Sequence, residues 1–182
     1  MAKLFLNGID PGIHDTALTT IELDFTARRI QPTTVVWENV TTIEKRVITV
    51  QENFLAELYD KIQQQKSQGL SLVGIEGYRQ RGLDPKQDQM MIDLIQVINR
   101  HLFGSEIVDN TGIKNVVTQP LLKLFHCHRF SKTNHSDSKS AARVALRLGI
   151  SIPVINELLS EYVDDHLYKE KPWELGSMLT AQ

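Results

Sequence analysis

The order of hydrophobic patterns along the 182 residues predicts an α/β domain built on a mixed sheet. Three observations carry this. Three β-branched, apolar segments follow one another at the start, a long helical pattern comes next, and short apolar runs then alternate with helical ones. The composition agrees, since 41% hydrophobic and 23% charged residues suit a globular chain with a substantial core. One domain over 1–182 is expected, with 150–182 as a C-terminal helical extension.

Residues 3–10 form a continuous apolar run that stops at Asp-Pro-Gly, the first strand. TALTTIELD (16–24) and TTVVWENV (33–40) predict the second and third, in an antiparallel meander. Val47, Val50, Phe54, Leu58 and Ile62 recur at spacings of three and four, which predicts a long amphipathic helix closed by Gly69. LSLVGIEGY (70–78) is a short apolar strand of the kind buried in parallel sheets. After the polar RQRGLDPKQ, the residues Met90, Met91, Leu94, Ile95, Ile98 and Leu102 mark the apolar face of a second helix. That face is expected either to cover the sheet or to form a dimer contact. KNVVTQP (114–120) predicts another strand stopped by Pro120, and LLKLF a short helix. HCHRFSKTNHS is a polar loop before a helix at 137–149, framed by a capping residue and Gly149. A last helical pattern covers 154–168, and the end of the chain is expected to be loose.

Several classes are excluded or made remote. No apolar run approaches the roughly 20 residues of a membrane span, and the first residues lack a signal peptide's pattern. No glycine-rich phosphate loop is present. A single cysteine, Cys127, permits no internal disulfide and fits a reducing cytoplasm. Its setting in HCHRF invites a zinc reading, but adjacent ligands without a second cluster are a weak metal signal.

The net charge of −2 conceals an uneven distribution. Residues 1–111 balance at −4 and 150–182 at −4, while 112–149 carry seven Lys/Arg against the single acid Asp137. A basic segment of this kind is a footprint for a polyanion or, equally, a solvated face.

Three acids stand out by position. Asp10 closes the first strand, Glu76 ends a later apolar strand between Gly74 and Gly77, and Asp137 opens the alanine-rich helix. Ala141, Val144, Ala145 and Leu148 continue one face of that helix, and its small residues allow it to lie close on a sheet. Each acid has a bland reading: turn-former, exposed strand end, N-cap. Together they have a chemical one. Clustered carboxylates repel unless a hard divalent cation sits between them, and two such ions about 4 Å apart suit phosphodiester hydrolysis.

GIDPG on strand one, IEGY on a later strand and an Asp opening an alanine-rich helix resemble the RuvC-type Holliday junction resolvases, in a divergent, phage-like form. That family belongs to the ribonuclease H-like superfamily, and the resemblance covers about residues 3–150. It implies a ribonuclease H-like mixed five-stranded sheet flanked by helices and a homodimer. It also implies Mg²⁺- or Mn²⁺-dependent nicking of four-way junctions or other branched DNA, with two ions. By motif match Asp10, Glu76 and Asp137 are the expected catalytic metal ligands. The family's last helix usually carries two acids three residues apart, whereas Ser140 stands at the second position here. A fourth ligand would then be water, His135, or Asp164 or Asp165 of the tail helix, whose more ordinary role is an exposed face.

The expected DNA contacts are Lys123, Arg129, Lys132, Lys139 and Arg143 on phosphates, with Tyr78, Arg79 and Arg81 beside the acids. Tyr78 would stack on a base or, as a core aromatic, cover the sheet end. Paired nicks in a two-fold junction require two sites, which a symmetric dimer supplies. Three other readings compete. One is a nuclease of the same superfamily acting on RNA–DNA hybrids or flaps. Another is a non-catalytic DNA-binding domain of this fold. The third, a sugar kinase- or actin-like ATPase, needs a glycine-rich second half that this chain lacks.

Overall fold

The computed structural model describes residues 3–45, 47–80, 82, 84–129, 135–168 and 173–176, with the His135 side chain outside that set. The meander is β1 (Lys3–Asp10), β2 (Thr16–Asp24) and β3 (Arg29–Trp37). A small hairpin, β4 (Thr41–Glu44) and β5 (Val47–Val50), precedes α1 (Glu52–Lys66), β6 (Leu70–Glu76) and α2 (Pro85–His101). Then come β7 (Glu106–Val108), α3 (Ile113–Val116), α4 (Gln119–Leu124), α5 (His135–Ser151), α6 (Pro153–Tyr168) and β8 (Glu174–Leu175).

The main sheet has the order β7-β6-β1-β2-β3-β8. β1 pairs antiparallel with β2, and β2 with β3, whereas β6 joins β1 and β7 joins β6 in parallel. A meander extended by two parallel strands on the far side of β1 is the ribonuclease H-like arrangement. The expected five strands form its body, and the two-residue β8 is an added edge.

Four elements differ from the sequence reading, each for a physical reason. β3 begins at Arg29 rather than 33, because Pro32 is accommodated on the outer edge, where among the described residues β8 pairs with Arg29 and Ile30 alone. Val47 and Val50 belong to β5, not to the first helix. Their stretch is rich in β-branched residues and pairs Ile43 with Ile48 across a turn, so the three-residue spacing was fortuitous. Residues 114–116 and 119–120 belong to two short helices rather than a strand: Pro120 sits in the first turn of α4, where a missing N–H costs nothing, and starts a helix instead of stopping a strand. The missing strand is β7, from the weaker EIV.

Side chains alternate across β1. Leu4 and Leu6 face a cluster with Val144, Ala145 and Leu148 of α5 and Leu159 and Tyr162 of α6. Ile9 faces the opposite cluster, with Phe54, Leu58 and Ile62 of α1 and Leu94 and Ile98 of α2. The α2 stripe considered as a dimer face is therefore largely spent inside the chain's own core, where Leu94, Ile95, Ile98 and Leu102 are buried. Asn7 interrupts this apolar alternation on β1. It is fully buried and satisfied, donating to Gln65 Oε1 at 2.7 Å and accepting from Thr20 Oγ1 at 2.6 Å.

α5 lies directly on the sheet. A Cβ at Gly8 would overlap the Ala141 carbonyl oxygen and the Ala145 amide nitrogen, and one at Gly74 would sit 2.9 Å from Val108 and 3.2 Å from Val144. The start of α5 is pinned as well, because Thr19 Oγ1 donates to the Ser138 carbonyl at 2.8 Å and Thr34 Oγ1 meets Ser138 Oγ at 2.9 Å.

Part of the tail is docked rather than loose. Trp173 is buried, edge-on to Phe25 and Tyr162 at 5.2 Å each, and its neighbours bond to Arg28 and Ile30. Residues 177–182 lie outside the described residues. Among those described, no helix is long and apolar enough to cross a membrane.

Gly8→Ala is expected to destabilise the chain by about 3 kcal/mol, since the added methyl meets helix backbone that cannot rotate away. Urea unfolding of the two proteins measures it.

Candidate active site

The ladder between β1 and β6 ends with Gly8 opposite Gly74 and Ile9 opposite Ile75. The next residues of the two parallel strands are Asp10 and Glu76, so the two acids leave the sheet side by side, about 4.8 Å apart in the backbone. Alternation puts both on the face that carries α5, since Gly8 and Gly74 beneath that helix lie two residues earlier. Glycine two positions before each acid is what lets α5 come down close enough to reach them.

The carboxyl groups of Asp10 and Glu76 lie close enough for Glu76 to act on the ionisation of Asp10. Burial pushes the Asp10 pKa up to about 8, helped by the charges of Glu76 and Asp137, while the neighbouring Ser140 hydroxyl works the other way. Glu76 is held by both oxygens. Asn110 Nδ2 donates to Oε1 at 3.1 Å, and Ser140 Oγ donates to Oε2 at 3.3 Å. Pro11, Tyr78, Met91 and Ile95 complete a shallow pocket around Asp10, Glu76 and Asn110.

Asp137 lies in the first turn of α5, half-buried, and accepts from Ser136 Oγ at 2.9 Å. It is near enough to act on Asp10 electrostatically, but among the described residues no three His, Cys, Asp or Glu side chains converge as one ion-holding set. The donor set fits a hard divalent cation. Asp10 and Glu76, at the ends of adjacent parallel strands, offer neighbouring carboxylate oxygens.

The remaining expected residues divide. Tyr78 packs against the apolar cluster under α1 and α2 and donates to the buried Asp88 at 2.6 Å, so its ring covers the sheet end. Asp88 also accepts from the Gly82 amide at 3.1 Å, bracing the loop that carries Arg79, which is exposed. Lys139 and Arg143 are half-buried on α5, either side of Ser140 in sequence, and Arg147 continues their row. Lys123 and Arg129 are exposed, on the segment that packs against α6 through Phe125 and Tyr162. Arg81, Lys132 and the His135 side chain lie outside the described residues.

One expectation needs correction. Asp165 is neither a spare ligand nor on an exposed face: it is 1% exposed and accepts from Arg28 at 2.8 Å and from Trp173 at 3.2 Å. Cys127 is fully buried, donates to the Phe125 carbonyl, and its thiol pKa is pushed up by burial, so HCHRF does not present it as a ligand. The sequence reading missed Asn110. Its signal was IVDNTG, an apolar pair followed by turn-forming residues.

No protein-family model and no curated protein sequence matches the chain. Solved structures do. RuvC of T. thermophilus, in complex with a Holliday junction substrate, is similar at 14% identity over 80% of this chain and 91% of that one, with a TM-score of 0.44. Fowlpox virus resolvase, in complex with Holliday junction DNA, is similar at 12% identity over 85% and 99%, with a TM-score of 0.38. The large terminase nuclease domain of bacteriophage SPP1, with bound Mn, is similar at 13% identity over 79% and 85%, with a TM-score of 0.38. Activity does not follow from similarity at this level.

A raised Asp10 pKa makes metal-free stability pH-dependent. The folded chain holds a proton that the unfolded chain releases near the ordinary carboxylate value of 3.8, so this contribution is full below about pH 4 and is lost as pH rises toward 8. In EDTA, the urea midpoint is expected to fall over that range, and Asp10→Asn to remove this part of the slope and exceed the wild type at pH 8.

Proposed function

We propose that the chain is a divalent-cation-dependent endonuclease of the RuvC type, nicking four-way junctions or related branched DNA. The observation that carries the reading is the pair of acids at the ends of adjacent parallel strands, beneath the start of a basic helix. An acid pair placed only for stability would be matched to a cationic partner, as Asp165 is to Arg28. The motif resemblance of GIDPG, IEGY and the Asp137 helix points the same way.

In this reading Asp10 and Glu76, with Asp137 nearby, would hold Mg²⁺ or Mn²⁺. The cations supply charge stabilisation at the scissile phosphate and activation of water. The chain's own residues do the rest. Ser140 and Asn110 orient Glu76. Lys139, Arg143 and Arg147 lie along one side of α5 at intervals of four residues and line a backbone track leading away from the acids. Neutralising phosphates there makes affinity fall steeply with salt. The exposed Arg79 extends the basic surface from the other side of the site. Two copies acting on a two-fold junction give paired nicks, which makes a homodimer the working form.

Purified protein offered a four-way junction, linear duplex, flap and RNA–DNA hybrid is expected to nick the junction symmetrically with Mg²⁺ and not in EDTA. Asp10→Asn and Glu76→Gln are each expected to slow cleavage roughly a thousandfold, about 4 kcal/mol of barrier. Cleavage of the hybrid alone would place the chain among the other nucleases of this fold. Unchanged cleavage in both variants would sink the assignment.

A further inference from the structure

Glu76 ends a strand beside a second acid, and nothing in its own strand keeps its flexible side chain there. Side-chain entropy favours swinging it into solvent. Two neutral donors oppose this from separate elements, Ser140 from α5 and Asn110 from the segment after β7.

Asn110 is itself well placed for the task. The Gly77 amide donates to the Val108 carbonyl at 2.9 Å, carrying the β6–β7 pairing past the end of β6. Asp109 Oδ1 then accepts from the Thr111 amide at 2.9 Å and its hydroxyl at 2.6 Å, and the Asn110 carbonyl accepts from Ile113 at 3.1 Å. The backbone on both sides of Asn110 is thus set without its side chain, which leaves the amide available to Glu76. An amide donor suits the position because it binds a carboxylate without adding charge, whereas a lysine would compete with a cation for the same oxygens.

We propose that Asn110 is the positioning residue for Glu76, its side-chain amide holding that carboxylate turned toward Asp10 so that a divalent cation meets a preformed pair. The proposal rests on the nuclease reading of the site. Groups that orient a metal ligand in this way change affinity by about 10–100-fold when removed.

The test is calorimetric titration of the DNA-free full chain with Mn²⁺, for wild type, Asn110→Ala, Thr111→Ala and Glu76→Gln. Thr111→Ala loosens the turn but leaves the amide in place, so it reports on a merely structural role. Asn110→Ala is expected to bind Mn²⁺ about tenfold more weakly, with Thr111→Ala within about threefold of wild type. Wild-type affinity in Asn110→Ala, or an equal loss in Thr111→Ala, would overturn the proposal, while a loss confined to Glu76→Gln would leave the nuclease reading standing. A wild-type chain that binds no Mn²⁺ overturns both.

Discussion

The close contact of α5 with β1 is the constraint on which the rest of the structure depends. A helix normally packs on a sheet through side chains of both, about 10 Å away. Here Gly8 removes one layer of side chain and Ala141 and Ala145 reduce the other, so helix backbone meets strand. Gly74 does the same for β6 against Val144, and Thr19 and Thr34 fix the first turn at Ser138. With the helix held at that height, Ser140 reaches Glu76 and Asp137 comes within electrostatic range of Asp10. A bulkier residue at position 8 would lift the helix and part these groups before it altered the sheet.

The buried acids of this chain fall into two kinds, and the contrast gives Asp10 its meaning. Asp88 and Asp165 are almost fully buried and surrounded by donors: Tyr78 and Gly82 for the first, Arg28 and Trp173 for the second. Each holds two segments together, as a satisfied buried charge does. Asp10 faces another carboxyl group instead and keeps a proton up to about pH 8. A fold gains no stability at neutral pH from opposing two acids. Their retention at the mouth of the sheet is understandable when something outside the chain provides the positive charge.

The sequence made the meander, α1, β6, α2 and α5 legible because each has a long periodic pattern and a clear stop. Asp10 and Glu76 were legible as strand-end acids next to glycines. Other features depended on pairing, which periodicity does not record. β7 is three residues long and is a strand only because β6 offers it an edge, so Asn110 could not be placed without it. Val47 and Val50 suited a helix as well as a hairpin until Ile43 and Ile48 were seen opposite each other. Asp165 looked like an exposed acid because Arg28 and Trp173, which compensate it, lie 137 and 8 residues away in the chain. Asn7 was hidden for the same reason inside an apolar run, since its partners come from β2, α1 and the start of β6.

Ser140 shows how a departure from a motif can be compensated locally. The resolvase pattern that the sequence resembles has an acid at this position. An ionised acid there would only accept hydrogen bonds, and beside Glu76 it would add a further like charge to the cluster. Serine donates instead: its hydroxyl reaches Glu76 Oε2 while Asn110 takes Oε1. The exchange removes one negative charge from the cluster and adds a constraint on the orientation of a carboxylate that remains. Geometry thereby replaces part of what charge would supply. In the proposed nuclease reading, cation binding would depend on how firmly Glu76 is aimed as well as on how many acids surround it, which makes Ser140 and Asn110 sensitive positions.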